Sequence, residues 1–157
     1  MKELTLQATI YECQMSELTS DDRQLVQMAI DSTSNSYAPY SHFHVGAAVR
    51  LANGKLIPGC NQENAAFPAG LCAEQSAIYA AGAQHPNTPI TAIAIAARDT
   101  MGQLTKAPVS PCGTCRQVMI ECETRNQQPL HILLYGADGI YVIDGIKSLM
   151  PLSFTEF

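Results

Sequence analysis

The sequence predicts an α/β fold of three layers, with helices on both faces of a mixed five-stranded sheet. A nearly continuous apolar run of β-type, ITAIAIAA at residues 90–97, indicates a strand buried within that sheet. Helical stretches at residues 72–84 and 112–124, the first closed by Pro86 and the second preceded by Pro111, each come before an apolar strand-like run. This order of helix–strand units predicts a layered α/β domain.

The first two elements are a short strand and an amphipathic helix. Residues 3–13, ELTLQATIYEC, alternate apolar and polar side chains, which indicates an additional strand at the edge of the sheet. Residues 19–33 predict a helix, because Thr19 or Ser20 can cap its first turn and the two aspartates that follow suit the positive end of its dipole. The apolar stripe of this helix consists of Leu25, Val26, Ala29 and Ile30.

A hairpin follows the break SNSYAPYSHF. Residues 44–51 and 55–60 flank the Asn-Gly turn sequence Ala52-Asn53-Gly54, so they predict two antiparallel strands. After the second helix of the helix–strand units, LHILLYG and IYVID predict strands on either side of a turn at Gly139. A short helix near residues 145–150 leads into the tail PLSFTEF.

Length and composition bound the class of protein. A chain of 157 residues with 46% apolar and 15% charged residues is typical of one globular domain over residues 1–157, with residues 1–18 as an N-terminal extension. No apolar run reaches about 18 residues and the N-terminus lacks a signal pattern, so we expect a cytoplasmic protein with no membrane partner. The net charge of −5 and nine scattered Lys and Arg residues argue against nucleic acid binding and favour a small-molecule partner.

Six cysteines in a cytoplasmic protein are more often metal ligands, catalytic groups or core thiols than disulfide partners. Cys112 and Cys115 stand three apart in SPCGTCRQV, at the start of a predicted helix. By itself this Cys-x-x-Cys pair is compatible with a redox motif, with half of a metal site and with inert core thiols. The four histidines are not candidate metal ligands, and three other cysteines are expected to be structural: Cys13, Cys60 and Cys122.

A third cysteine supports the metal interpretation. Cys72-Ala73-Glu74 begins the earlier helix, so two helices placed side by side with adjoining N-termini would bring Cys72, Cys112 and Cys115 together. Helix N-termini favour thiolates, which zinc requires. Three protein ligands leave one tetrahedral position open, as in catalytic zinc sites. Glu74, two residues from a ligand, is placed to move protons rather than to bind the metal.

Four segments of the chain resemble one family. The motifs CAE at 72–74 and PCGTCRQV at 111–118 are similar to the signature of the zinc-dependent cytidine deaminases. The segments YAPYSHFHVGAA at 37–48 and GCNQENAAF at 59–67 resemble the three-cysteine, homotetrameric members that act on free nucleosides. The resemblance extends from about residue 19 to residue 154. It implies a cytidine-deaminase-like α/β/α fold.

The resemblance implies a hydrolytic deamination. It implies that one zinc ion per chain is bound by Cys72, Cys112 and Cys115, and that hydroxide formed with its help attacks C4 of the pyrimidine ring. Glu74 takes the proton from the water, passes it to N3 and then protonates the departing amino group. Cytidine and deoxycytidine thereby become uridine and deoxyuridine, a reaction of pyrimidine salvage.

The resemblance also implies which residues hold the nucleoside. Asn61 and Glu63 match the positions that hydrogen-bond the ribose hydroxyls. Phe43 matches the aromatic residue that packs on the ring, and the N–H of Ala73 matches the donor to the pyrimidine carbonyl. The structural alternative for Asn61 and Glu63 is a role as polar residues of a turn, and for Phe43 it is a place in the core.

A homotetramer with shared active sites is a further implication. In the homotetrameric members an aromatic residue near the C-terminus reaches the site of a neighbouring subunit. Phe154 in MPLSFTEF is the candidate for this role, and Phe67 is a second candidate for crossing an interface. The alternative for Phe154 is an anchor of the tail on its own subunit.

The residue after Glu74 departs from the family pattern. Three-cysteine members usually continue CAER, whereas this chain has Gln75. A zinc ion with three thiolates carries a net charge of −1, and the usual arginine offsets it. Arg116, four residues after Cys112, is expected to lie beside that thiolate and to supply part of the missing charge.

Other functions stay open from the sequence. A deaminase of a modified nucleoside such as blasticidin S would share the zinc motif, but it would not need both the NQEN and the YAPYSHF segments. A non-catalytic zinc-stabilised module would not need Glu74 and would close the fourth metal position with a protein ligand. A redox protein would be distinguished by metal analysis and thiol titration.

Overall fold

The computed structural model describes residues 1–155, so the last two residues of the expected domain lie outside the described part. One sheet contains six strands: β1 (Tyr11–Cys13), β2 (His44–Leu51), β3 (Leu56–Cys60), β4 (Ile90–Arg98), β5 (His131–Tyr135) and β6 (Ile140–Asp144). The helices are α1 (Ser20–Ser32), α2 (Ala73–Gln84) and α3 (Gly113–Asn126). The strand order is β1-β6-β5-β4-β2-β3, with β4 and β5 parallel and all other neighbours antiparallel. The predicted α/β class is confirmed, and β1 adds a sixth strand to the five.

The alternation along β4 shows how the layers divide. Ile93 and Ile95 belong to a buried cluster that includes residues of α2 and α3, whereas Ala92, Ala94 and Ala96 belong to the cluster beneath α1. Successive side chains of a strand point to opposite faces, so α1 covers one face of the sheet and α2 with α3 covers the other. A strand that is buried on both faces has a continuous apolar sequence, which explains the run ITAIAIAA.

Two glycines set the distance between the sheet and its helices. A Cβ on Gly46 of β2 would lie 2.1 Å from the carbonyl oxygen of Ala29 in α1. A Cβ on Gly59 of β3 would lie 2.4 Å from the backbone nitrogen of Ala77 in α2. Neither position has room for a side chain, so the backbones approach one another directly. The second contact holds α2, with the candidate site residues at its start, against the sheet.

β1 is shorter than the sequence predicted. Alternation predicted a strand over residues 3–13, but only Tyr11–Cys13 pair with β6, and residues 1–10 form no helix or strand. β6 ends at Asp144, and the chain turns at Gly145 with a φ of 89°. In the register of β1 with β6, Thr9 and Ile10 still face the end of β6, whereas residues 1–8 extend past it. The prediction was wrong for this part because alternation alone does not supply a pairing partner.

The remaining connections are short. The β2–β3 hairpin is confirmed, and the four residues 52–55 join its strands, with the N–H of Gly54 donating to the carbonyl of Leu51 at 2.9 Å. Gly54 takes the left-handed position with a φ of 83°, which is a turn followed by a glycine rather than a two-residue Asn-Gly turn. The predicted C-terminal helix is a single 3₁₀ turn, Ile146–Ser148. Within residues 1–155 no helix has the length and apolar character needed to cross a membrane.

Candidate metal centre and active site

Three thiols meet where two helices begin. Cys72 is the N-cap residue of α2, Cys112 is the N-cap residue of α3, and Cys115 lies in the first turn of α3. The three sulfur atoms lie within 4.8 Å of one another. Neither N-cap side chain makes a capping hydrogen bond, so the unpaired N–H groups and positive dipole ends of both helices lie near the thiols. This environment favours thiolates.

The thiols of Cys72 and Cys115 share a hydrogen bond. That bond lowers the pKa of Cys72 to about 7, although burial and the negative charge of Glu74 act in the opposite direction. The same bond raises the pKa of Cys115, and burial adds to the effect. Cys72 is therefore the first thiol of the pair to ionise, and Cys115 stabilises its negative charge by donating a hydrogen bond.

The donor set fits zinc. In a tetrahedral site with Zn–S bonds of about 2.3 Å, the sulfur atoms lie about 3.8 Å apart, which agrees with the observed grouping. Among the residues that the structure describes, these three cysteines are the one group of metal-ligating side chains close enough to hold an ion. No fourth ligating side chain of residues 1–155 joins this group, and three protein ligands are typical of a catalytic rather than a structural zinc site.

Glu74 is buried beside this centre. It is the second residue of α2, and only 5% of its surface is exposed. Together with Cys72 and Cys112 it lines a cavity of about 180 Å³. Burial raises the pKa of Glu74, and its own N–H together with the nearby Cys115 thiol offsets only part of this effect. A carboxyl group with a raised pKa can both accept and donate a proton closer to neutral pH.

The cavity is smaller than the roughly 300–1,000 Å³ of most ligand pockets. It therefore suits a ring-sized group, with the rest of a ligand at its mouth. Asn61 and Ala73, which the sequence predicted as substrate contacts, line it as well. The sequence analysis missed four lining residues: Val45, Ile95, Val109 and Ser110. Strand periodicity on β2 and β4 could have indicated the first two, and proximity to the Cys-x-x-Cys motif the last two.

The side chain of Asn61, the residue after β3, is hydrogen-bonded to the backbone at the start of β2. Its Oδ1 accepts a hydrogen bond from the N–H of Val45 at 2.8 Å, and its Nδ2 donates to the carbonyl of Phe43 at 2.9 Å. An amide side chain has two donor hydrogens and two acceptor lone pairs, so each group retains capacity for one more bond. The half-buried Phe43 is thereby held at the entry to β2, one residue before the strand begins.

Glu63 and Phe67 lie around a neighbouring cavity of about 380 Å³. The carboxylate of Glu63 accepts hydrogen bonds from the N–H groups of Tyr40 at 2.8 Å and Ser41 at 3.3 Å. The side-chain hydrogen bond with Ser41 lowers the pKa of Glu63 most, and these backbone groups add to the effect. The ring of Phe67, which is 76% exposed, contacts that of Tyr40 edge to face at a centroid distance of 6.0 Å.

Phe154 lies on the C-terminal segment and is 63% exposed. Its carbonyl accepts a hydrogen bond from Nε2 of Gln117 at 3.1 Å, which fixes this segment to α3 two residues beyond Cys115. The structure thus holds the backbone of Phe154 close to the helix of the metal centre.

The two residues predicted to tune the charge of the metal centre follow the helix starts. Gln75 in α2 is buried, at 8% exposed. Arg116 in α3 donates from Nε to the carbonyl of Pro111 at 2.9 Å and from a terminal nitrogen to the carbonyl of Leu149 at 2.5 Å. The guanidinium therefore joins the loop before Cys112 to the C-terminal part of the chain, and its influence on the metal centre stays a prediction.

Comparisons with known proteins agree with this geometry. Residues 19–128 match the family described as the cytidine and deoxycytidylate deaminase zinc-binding region. The cytidine deaminase of Halalkalibacterium halodurans is 42% identical over 135 residues, which cover 86% of this chain and 95% of the relative. The crystal structure of the cytidine deaminase of Burkholderia pseudomallei aligns with a TM-score of 0.73 and 36% identity, over 87% of this chain and 100% of that one. The blasticidin-S deaminase of Bacillus cereus is 29% identical over 141 residues, covering 88% of this chain and 96% of the relative.

The layered fold and a three-thiolate centre beside a buried carboxyl group define a zinc-binding hydrolase of C–N bonds. With a family match over residues 19–128 and a relative at 42% identity, the chain belongs to the cytidine and deoxycytidylate deaminase family.

Proposed function

We propose that this protein converts cytidine and deoxycytidine to uridine and deoxyuridine by hydrolysis, as a step of pyrimidine salvage. The observation that carries the proposal is the buried Glu74 beside a three-thiolate centre with an open fourth position, in a cavity suited to one ring. The relatives named cytidine deaminase support the choice of substrate.

The proposed chemistry uses Glu74 twice. Zinc held by Cys72, Cys112 and Cys115 would supply the Lewis acidity that makes a water proton removable near neutral pH. The Glu74 carboxylate accepts that proton and gives it to N3 of the ring as the water oxygen bonds to C4. The carboxylate then accepts the remaining hydroxyl proton and donates it to the amino group, so the C4–N bond breaks and ammonia leaves. Each transfer returns Glu74 to its starting state.

The proposed contacts to the nucleoside use the hydrogen-bonding groups of Asn61 and Glu63 that are not occupied within the chain. Asn61 has one donor hydrogen and one acceptor lone pair beyond its bonds to β2, and Glu63 can accept further hydroxyl donors beside its two backbone bonds. Phe43 would pack on the ring, and the N–H of Ala73 would donate to the pyrimidine carbonyl. A substrate without a sugar would leave Asn61 and Glu63 without their ligand, so free cytosine is expected to react poorly.

The proposed assembly is a homotetramer with one zinc per chain. Phe67 and Phe154 are large, exposed aromatic side chains, and a neighbouring subunit would bury them and close the mouth of the site. A cytoplasmic location stays a prediction from the composition.

The decisive experiment replaces Glu74 by Gln. The amide keeps the size of the side chain but cannot accept and donate a proton near neutral pH, so turnover of cytidine should fall by at least the roughly 10²–10⁴-fold that general acid–base groups contribute. Deamination is followed by the ultraviolet change of the ring, with zinc content and thermal unfolding measured on the same sample. Glu121→Gln, an exposed glutamate of α3, is the matched control and should keep full activity.

A Glu74→Gln enzyme with full zinc and activity within tenfold of the parent would contradict the proton-transfer role. Deamination of a modified nucleoside such as blasticidin S is the second candidate, which the blasticidin-S deaminase relative supports. Steady-state rates of the parent enzyme with cytidine, deoxycytidine, cytosine and blasticidin S would separate the two. A higher kcat/KM for blasticidin S than for cytidine would overturn the proposed substrate.

A further inference from the structure

The segment before β1 exposes an alternating apolar pattern. We call residues 1–10 the N-terminal arm; all of them are exposed, including Leu4 at 77%, Leu6 at 54% and Ile10 at 44%. The arm leads into β1, which pairs on one side with β6 and, within residues 1–155, has no strand on its other side. An exposed edge with apolar side chains on alternate positions is a template for pairing with another strand.

The arm and β1 are complementary to a second copy of themselves. When two copies run antiparallel with Gln7 opposite Gln7, Leu4 lies opposite Ile10 and Leu6 opposite Ala8, all on one face. In the same register two further pairs match in character or charge, Thr5 with Thr9 and Lys2 with Glu12, while Glu3 lies opposite Tyr11. Opposite charges directly across a ladder stabilise it, whereas like charges destabilise it.

The neighbouring registers are worse. Side chains alternate between faces, so only shifts that keep apolar residues on one face need to be compared. A ladder centred on Leu6 would place Lys2 opposite Ile10. A ladder centred on Ala8 would place Glu12 opposite Leu4. Of the three registers, only the one centred on Gln7 places no charged residue opposite an apolar one on this face, and it also pairs Lys2 with Glu12.

We propose that residues 2–12 of two copies pair as antiparallel strands about a two-fold axis at Gln7, so that the first residues of each arm extend the sheet of the other copy beyond β1. The occupant of the open edge is thus a second copy of this chain, in an interface in which each surface meets itself. The self-complementary order of residues and the exposed apolar side chains of the arm carry this inference. It is independent of the proposed reaction, because the paired residues precede the part of the chain that matches the deaminase family.

Cysteine scanning of the zinc-loaded full chain tests the register. A residue on a two-fold axis faces its own copy within the roughly 4.4–6.8 Å between Cα atoms that a disulfide requires. Under mild oxidation Gln7→Cys should form at least fivefold more covalent dimer on a non-reducing gel than Leu6→Cys or Ala8→Cys, which mark the centres of the alternative registers. The parent chain, with its six native cysteines, gives the background. Equal yields in the three variants, or an excess at residue 6 or 8, would overturn the proposal.

A charge exchange in the Gln7→Cys background supplies the second test. Lys2→Glu and Glu12→Lys should each reduce the yield of covalent dimer, because each places like charges opposite one another. The double variant restores the opposite pair and should recover the yield. Deaminase activity serves as the control for folding and should be unchanged in all of them. A double variant that cross-links as poorly as the single variants would refute the pairing of residue 2 with residue 12.

Discussion

Gly59→Ala should loosen the metal centre although residue 59 makes no part of it. The added Cβ would meet the backbone nitrogen of Ala77 at 2.4 Å and the carbonyl oxygen of Ala73 at 2.7 Å, whereas ordinary contacts of a Cβ begin at 3.4 Å. Both obstacles are backbone atoms of α2, so the helix has to move by about 1 Å to reach ordinary contact distances. Ala73 is the first residue of α2, and the movement therefore carries Cys72 and Glu74 with it.

The size of the effect follows from this displacement. Overpacking a core by one methyl group costs about 1–3 kcal/mol. For a chain of this length each kcal/mol lowers Tm by about 2–4 °C, so a fall of roughly 2–12 °C is expected. A misplacement of about 1 Å in catalytic geometry costs on the order of 10²-fold in rate. Because Cys72 moves with α2 while Cys112 and Cys115 stay with α3, zinc should also dissociate faster.

Gly46→Ala is the matched control on the opposite face of the sheet. Its Cβ would lie 2.1 Å from the carbonyl oxygen of Ala29, so α1 moves instead, and α1 carries no candidate metal or proton-transfer residue. Both variants are compared by thermal unfolding, by zinc release to a chelator and by kcat/KM with cytidine. The reasoning fails if, at a similar loss of Tm, Gly59→Ala keeps zinc and kcat/KM as well as Gly46→Ala does.

Three further predictions concern charge, metal and helix stability. Burial raises the pKa of Asp22, but the hydrogen bond from Arg50 at 2.9 Å, together with neighbouring donors and charges, outweighs it and leaves the pKa lowered. The ionised form therefore stabilises the fold above about pH 4. Asp22→Asn should lower the free energy of unfolding, measured in urea at pH 7, by about 1–3 kcal/mol, and this difference from the parent should vanish as the pH falls toward 2. Cys112→Ser should lose zinc and lower Tm in metal analysis and calorimetry, whereas Cys60→Ser should retain zinc; equal zinc in both would exclude residue 112 as a ligand. Gly82→Ala, whose Cβ would meet no atom within 4 Å, should raise the free energy of unfolding by about 0.5–1 kcal/mol, and a lowered value would contradict the open space at that helix position.

Much of the fold was predictable because its signals are local. The predicted helix at 72–84 is Ala73–Gln84 in the structure, and the run at 90–97 is the strand Ile90–Arg98. A stop at proline and a continuous apolar strand can be recognised without knowledge of the neighbouring elements. The strand predicted over residues 3–13 was too long for the opposite reason, since residues 3–8 lie beyond the end of β6 and alternation within the arm does not show where a neighbouring strand ends.

The sequence predicted that the three thiols would meet, but it did not predict the hydrogen bonds around the site. The motifs around Cys72 and Cys112 indicated that two helix starts would meet, and the thiols do lie together. The hydrogen bonds of Asn61 to β2, and the place of Glu63 at a second cavity, depend on how the loop of residues 37–43 folds back on β3. Nothing in the local pattern contains that information. The catalytic and substrate-binding roles stay predictions until variants are assayed.

Because isoleucine and alanine alternate along β4, the two faces of the sheet differ in the substitutions that they can accept. Ile93 and Ile95 fill a deep space beneath α2 and α3, where another large apolar side chain of similar volume can be accommodated by repacking. Ala94 and Ala96 face α1 across a shallow space with the sheet and helix backbones nearly in contact at Gly46. At the positions of β4, exchange among large apolar side chains is therefore easier beneath α2 and α3 than beneath α1, although each face of the sheet has one glycine contact that admits no side chain.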